Sequence, residues 1–240
     1  MAASLPTTSV AQHLTERIAA LRADKMPPAV RQKCEDLLID VVGLCVTARN
    51  EDYIRSALAG LDDDGPCTAI GHARTLSSAG AAFVNGTAAH GEDFDDTFEG
   101  GPVHAGAVVV PAVLAACERH RPDGAAALLG IAVGTETMCR LSTVVPKAVH
   151  KAGFHPTAIF GVMGAAAGVG AALGLNAKQI VDALGIAGSF ASHNFRRTAS
   201  SRAHRCAACR RLAAGGAAKM RGSAHRRGRS LCHRAQRRLH

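Results

Sequence analysis

Apolar residues recur at Val10, Leu14, Ile18 and Leu21, the three-to-four spacing of an amphipathic helix over residues 9–21. Pro27 and Pro28 then open a second helix, proline being harmless in a first turn, and Val30, Cys34, Leu37, Leu38, Val41, Val42 and Cys45 give it one wide apolar face. A shorter helix is predicted over residues 51–61, ended by the turn cluster Asp62, Asp63, Asp64, Gly65 and Pro66, with a short extended piece over residues 67–71. Ser77 or Ser78 caps a helix that runs to about Ala89, and residues 106–120 form another, in which Pro111 marks either the start or a kink. After the turn Arg121, Pro122, Asp123 and Gly124, helices follow over residues 125–141, after His155-Pro156-Thr157, and over residues 177–191 beyond the break at Gly174 and Asn176. No repeat of fixed period is visible. The pattern predicts an all-α, multi-helix domain whose small residues let helix axes approach closely.

Composition sharpens this picture. With 240 residues, 48% apolar and 20% charged, the chain can build a sizeable core, and 3% aromatics with abundant Ala and Gly disfavours an aromatic-cored β-sandwich. The net charge of +9 is unevenly placed: thirteen Arg, one Lys and no acid after Phe195 put +14 there, against −5 before it. Two regions are therefore expected, a helical domain over residues 1–195 and a basic Arg/Ala/Cys/His-rich tail over residues 196–240. Without Val, Ile or aromatics the tail cannot build a core and reads as disordered or aberrant.

The tail carries two other signals. His204, Cys206, Cys209, His225, Cys232 and His233 imitate zinc ligands but lack a second pair at defined spacing. Dense Arg would bind nucleic-acid backbones nonspecifically. The body's Cys34, Cys45, Cys67, Cys117 and Cys139 lie mostly in apolar helical patterns and read as reduced, cytoplasmic thiols. The N-terminus has neither the basic nor the apolar region of a secretion signal. Residues 157–175 contain no charge, but they are mostly Ala and Gly, which insert weakly, so a packing helix is expected rather than a membrane span. Gly168, Gly170 and Gly174 imitate a dinucleotide-binding pattern, yet residues 160–167 read as helix where that motif needs a strand.

Chemistry concentrates between two helices. Glu92, Asp93, Asp95 and Asp96 put four carboxylates into five positions, followed by Thr97 and His104. Such crowding permits a solvated loop that caps the next helix, an oxygen-ligand site for Mg²⁺ or Ca²⁺, or an acid/base site. His155 stands just ahead of a helix N-terminus, where free N–H groups meet anions.

Asn85-Gly-Thr-Ala-Ala-His90, Asp93-Phe-Asp-Asp-Thr97, His104-Ala-Gly with Val108-Val-Val-Pro111-Ala, and Gly153-Phe-His-Pro-Thr157 resemble the successive signatures of the MmgE/PrpD family. Leu37, Leu38, Ile39, Asp40 and Gly43 also resemble its opening segment, so the resemblance spans about residues 9 to 192. The family contains 2-methylcitrate dehydratase, cis-aconitate decarboxylase and iminodisuccinate epimerase. The resemblance implies a large helical domain completed by a smaller lid, in a cytoplasmic homodimer that acts on small polycarboxylates without metal or organic cofactor. It also implies catalytic roles for Asp93, His104 and His155 and substrate contacts from Thr97 and Asp96, for dehydration of a 2-methylcitrate-like tricarboxylate. After about Ser192 the family's further helices, pocket lysine and lid are not matched; Lys219 has the wrong neighbours to stand for that lysine. A truncated member with a shifted reading frame is the expectation, inactive if the missing pocket wall is essential, and self-associating through the apolar face it leaves uncovered. The alternative of another class is a basic-tailed binding or structural protein using the helices as scaffold.

Overall fold

The computed structural model describes residues 8–193. The basic segment, with its zinc-like spacing and its nucleic-acid signal, lies outside the described residues. The order is α1 (Val10–Ala20), a single 3-10 turn (Ala23–Lys25), α2 (Pro28–Ala48), α3 (Asp52–Ala59), β1 (Cys67–Thr68), β2 (Thr75–Leu76), α4 (Ser78–His90), α5 (Ala105–His120), α6 (Gly124–Val144), α7 (Ala148–Lys151), α8 (Pro156–Ala172) and α9 (Ala177–His193). The described domain is all-α apart from the antiparallel pair β1–β2, in register Cys67 to Leu76.

Local sequence explains the ends of these helices. Ser9 and Gln12 form a reciprocal capping box on α1, and the Ser77 hydroxyl accepts from the Gly80 N–H to start α4. Pro111 is interior to α5, which runs on through it to His120, so it neither starts nor ends the helix. At the end of α8, Gly174 takes φ 64°; its N–H reaches the Ala171 carbonyl while that of Leu175 reaches Gly170, the paired bonds of a left-handed helix cap. The short α7 was not anticipated, since four residues carry no periodicity.

Helices α5, α6 and α8 pack against one another; α2 and α4 pack on α5, and α9, itself contacted by α1, packs on α8. Val41, Val84, Val109, Val110, Val113, Ile131 and Met138 are fully buried in the main core. Each such side chain contributes roughly 1.5–3 kcal/mol by leaving water. A smaller cluster of Ile18, Val133, Ala167, Ile180 and Leu184 joins α1, α6, α8 and α9. Among the described residues no helix is long and apolar enough to cross a membrane.

The tightest crossing is α6 against α8. A methyl group at Gly168 would stand 2.7 Å from the Gly130 carbonyl oxygen, and one at Gly134 would stand 2.8 Å from that of Gly164. Both obstacles are backbone, which cannot swing aside. Gly168 and Gly170 thus lie inside a helix rather than after a strand, and Gly168 serves packing.

Replacing Gly168 with Val is expected to overpack this crossing, costing about 3 kcal/mol and lowering Tm by roughly 6–12 °C for a body of this size. Gly43→Ala is the contrasting case, because a Cβ there meets nothing within 4 Å. It should stabilise α2 by about 0.8 kcal/mol through helix propensity alone. Thermal unfolding followed by circular dichroism checks both.

Candidate active site

Three helix ends meet at one point. His90 is the last residue of α4, His104 directly precedes α5, and His155 directly precedes α8. Two contacts hold the junction together. The buried Thr157 hydroxyl in the first turn of α8 accepts from the His104 backbone N–H at 3.1 Å, tying the start of α5 to that of α8. Asp96 Oδ1 accepts from the Gly106 N–H at 2.8 Å, supplying the cap that the side chain of His104 does not give to α5.

The loop between α4 and α5 sorts its acids by direction. Asp93 takes a left-handed backbone conformation, φ 58°, and is exposed. This turn sends Phe94 out to solvent and Asp95 inward, where its carboxylate is completely buried. Asp95 Oδ2 lies 2.8 Å from His90 Nδ1, and Oδ1 lies 3.4 Å from His104 Nδ1. Farther along, the Phe98 N–H donates to the Val103 carbonyl and closes the loop.

On the far side of His90, its Nε2 sits 3.2 Å from His155 Nε2, with the two ring planes within 14° of each other and the ring centroids 5.5 Å apart, so the rings meet end to end. A neutral His90 that donates Nδ1–H to Asp95 has only a lone pair at Nε2, so the short contact places a proton on His155 Nε2. The result is a chain from Asp95 through His90 to His155 along which one proton can move. A His90 that receives it has the buried carboxylate behind it. The hydrogen bond to Asp95 raises the pKa of His90 above the ordinary imidazole value; burial opposes this, and the charges of Asp95, Asp93 and Asp96 add to it. Asp96 is also raised, chiefly by burial, although its bond from Gly106 works the other way.

Of the expected site residues, the fold brings His104 and His155 together around His90. Thr97 is exposed but reaches His104, its hydroxyl oxygen 3.4 Å from Nδ1. Asp93 does not join the cluster: its turn leaves it outside, and the carboxylate that enters is Asp95. Asp96 is half-buried and its Oδ1 is engaged by α5. Reasoning from sequence missed His90 and Asp95 as site residues. Two signals were present, since His90 ends the Asn85 motif and Asp95 lies two residues beyond a position where an Asp readily adopts the left-handed turn.

The sequence profile of the MmgE/PrpD N-terminal domain matches residues 12–224. The chain belongs to the MmgE/PrpD family. The match to MmgE/PrpD begins in the first turn of α1, includes every site residue above and continues into the basic segment. Curated relatives include a cis-aconitate decarboxylase-like protein of Aspergillus oryzae, 29% identical over 77% of this chain and 40% of its own length. A cis-aconitate decarboxylase of Aspergillus terreus is 29% identical over 70% of this chain and 36% of its own, and the human cis-aconitate decarboxylase is 39% identical over 46% and 24%. The chain thus spans well under half the length of these MmgE/PrpD relatives.

Asp95→Asn removes the charge that raises His90. Its imidazole, followed by NMR, should then titrate at lower pH than in the unsubstituted protein. Because the folded pKa is the raised one, the Asp95–His90 pair contributes its full stability below the unfolded value near pH 6.5 and loses it as pH rises through the folded value. The variant should therefore lose more stability at pH 5.5 than at pH 8.5, by about 1–3 kcal/mol at the acid end. An equal loss at both pH values in urea unfolding would remove the charge from the explanation.

Proposed function

We propose that this chain carries the imidazole half of a lyase active site that acts on a small polycarboxylate, with cis-aconitate as substrate and loss of CO₂ as the reaction. The observation that carries the reading is the His90–His155 contact of 3.2 Å backed by the buried Asp95 carboxylate. The names of the relatives support the choice of substrate.

In such a decarboxylation the bond to the departing carboxylate breaks and its electron pair forms a new C=C bond. The pair of the old double bond moves to the far carbon, which must take a proton. In this reading protonated His155, or His90 through it, would give that proton, and His90 would then share the remaining one with Asp95. The product is an unsaturated diacid one carbon shorter, and water returns the proton to the imidazoles. His104 as imidazolium would hold a substrate carboxylate, and Thr97 would donate a hydrogen bond beside it.

Dehydration of a 2-methylcitrate-like tricarboxylate is the second reading. It is favoured by the presence of two imidazoles in direct contact, since elimination of water needs a base for the carbon-bound proton and an acid for the departing hydroxyl at once.

The purified chain is to be incubated with cis-aconitate and, separately, with 2-methylcitrate, with products read by mass spectrometry and imidazole resonances by NMR. The expected outcome is perturbation of the His90, His104 and His155 signals by cis-aconitate and release of the shortened diacid, with turnover falling about 10²–10⁴-fold in His155→Ala. Turnover of 2-methylcitrate alone would move the assignment to dehydration. Unchanged imidazole signals and no product with either acid at millimolar concentration would leave the helices as a scaffold and overturn the lyase reading.

A further inference from the structure

Between His90 and the buried Asp95 the chain runs through four exposed residues, Gly91 to Phe94. A backbone bond within this run, from the Asp93 N–H to the His90 carbonyl, is long at 3.3 Å. Exposed loop backbone of this kind has many paths open to it, yet this one delivers the Asp95 carboxylate to 2.8 Å from His90 Nδ1. The far half of the loop is seated on α6, where a methyl group at Gly101 would stand 2.8 Å from Ser142 Cβ. The near half is seated on α3, by the chain's one tyrosine, Tyr53.

Gly91 has the right-handed backbone φ −64°, ψ −31°, which any residue tolerates, so its conformation does not call for glycine. What calls for glycine is space: a Cβ at this position would stand 2.5 Å from Tyr53 Cε2 and closer still to Cζ and the hydroxyl oxygen. The ring therefore lies directly against the residue that follows His90. Its hydroxyl reaches one residue further and donates to Glu92 Oε1 at 2.9 Å. Burial, and then the hydrogen bond to Glu92, hold the phenol above its ordinary pKa, with the charges of Glu92 and Glu51 adding to this, so it keeps its proton and remains a donor. Tyr53 is itself anchored, being half-buried against the main core beside the fully buried Ile54. Contacts to two consecutive residues, one steric and one polar, thus fix both the position and the direction of the chain as it leaves α4.

We propose that Tyr53 is a positioning residue for the His90–Asp95 pair: its ring and hydroxyl, carried on α3, set the path of Gly91 and Glu92 and through it the inward placement of Asp95. Tyr53 acts through the loop and makes no contact with the imidazoles. Its effect on turnover rests on the lyase reading above; its effect on His90 does not.

The test follows the imidazoles of the full chain by NMR titration. Tyr53→Ala and Gly91→Ala are each expected to lower the His90 midpoint by about one pH unit as Asp95 withdraws from it. On the acid that is turned over, kcat should fall about 10–100-fold with KM little changed. Tyr53→Phe keeps the ring and loses only the bond to Glu92, so both effects should be present and smaller. In an Asp95→Asn background Tyr53→Ala should lower the midpoint no further, because the two changes act through one contact. Ile54→Val, on the same helix, is the control for general destabilisation: Tm falls while the His90 midpoint and kcat hold. If Tyr53→Ala does not fold, Tyr53→Phe and Gly91→Ala decide by the same readout. A His90 midpoint unmoved by the Tyr53 and Gly91 variants, an equal fall in Ile54→Val, or an undiminished fall in the Asp95→Asn background would overturn the proposal. A chain that turns over neither acid removes the lyase reading alone, and the titrations still decide the role of Tyr53.

Discussion

A carboxylate taken wholly out of water has to be compensated, and around Asp95 the compensation comes from two imidazoles on different helix ends. An isolated buried anion would be so costly that the group would protonate or the loop would move outward. The presence of His90 and His104 beside it makes the inward position tenable. In return the carboxylate fixes which nitrogen of His90 faces inward and therefore which faces His155. The orientation of the whole cluster follows from this one burial.

The frame around the cluster is correspondingly stiff. His155 is held at the start of α8, and α8 lies against α6 with backbone touching backbone at Gly130, Gly134, Gly164 and Gly168. The start of α5 is fixed twice, by Thr157 through the His104 N–H and by Asp96 through Gly106. Helix ends held by packing on one side and backbone hydrogen bonds on the other keep the imidazoles within contact distance of one another.

Much of this was legible before any coordinates. The long helices follow from apolar periodicity and from ordinary capping residues such as Ser9, Ser77 and Asp123, whose side chains accept from the first turns as expected. His104 and His155 stand out because each sits in a polar or turn-forming context next to a helix start. His90 does not, because it closes an Ala-rich apolar helix and reads as its last turn. Asp95 could not be separated from its neighbours either: four acids in five positions look alike in a string. Only the left-handed turn at Asp93 decides which of them enters the protein. The α6–α8 crossing was legible as close packing, but the pairing of particular glycines across it depends on how two distant segments meet.

The acidic run between α4 and α5 thus divides into separate tasks. Glu92 accepts a hydrogen bond from the Tyr53 hydroxyl, Asp93 shapes the backbone, Asp95 is buried against imidazoles, and Asp96 starts a helix. Net charge is therefore the wrong coordinate for this loop. Four neighbouring residues of one sign would respond to neutralisation in four unrelated ways, and a homologue that kept the same total with the positions permuted would have a different protein at this point.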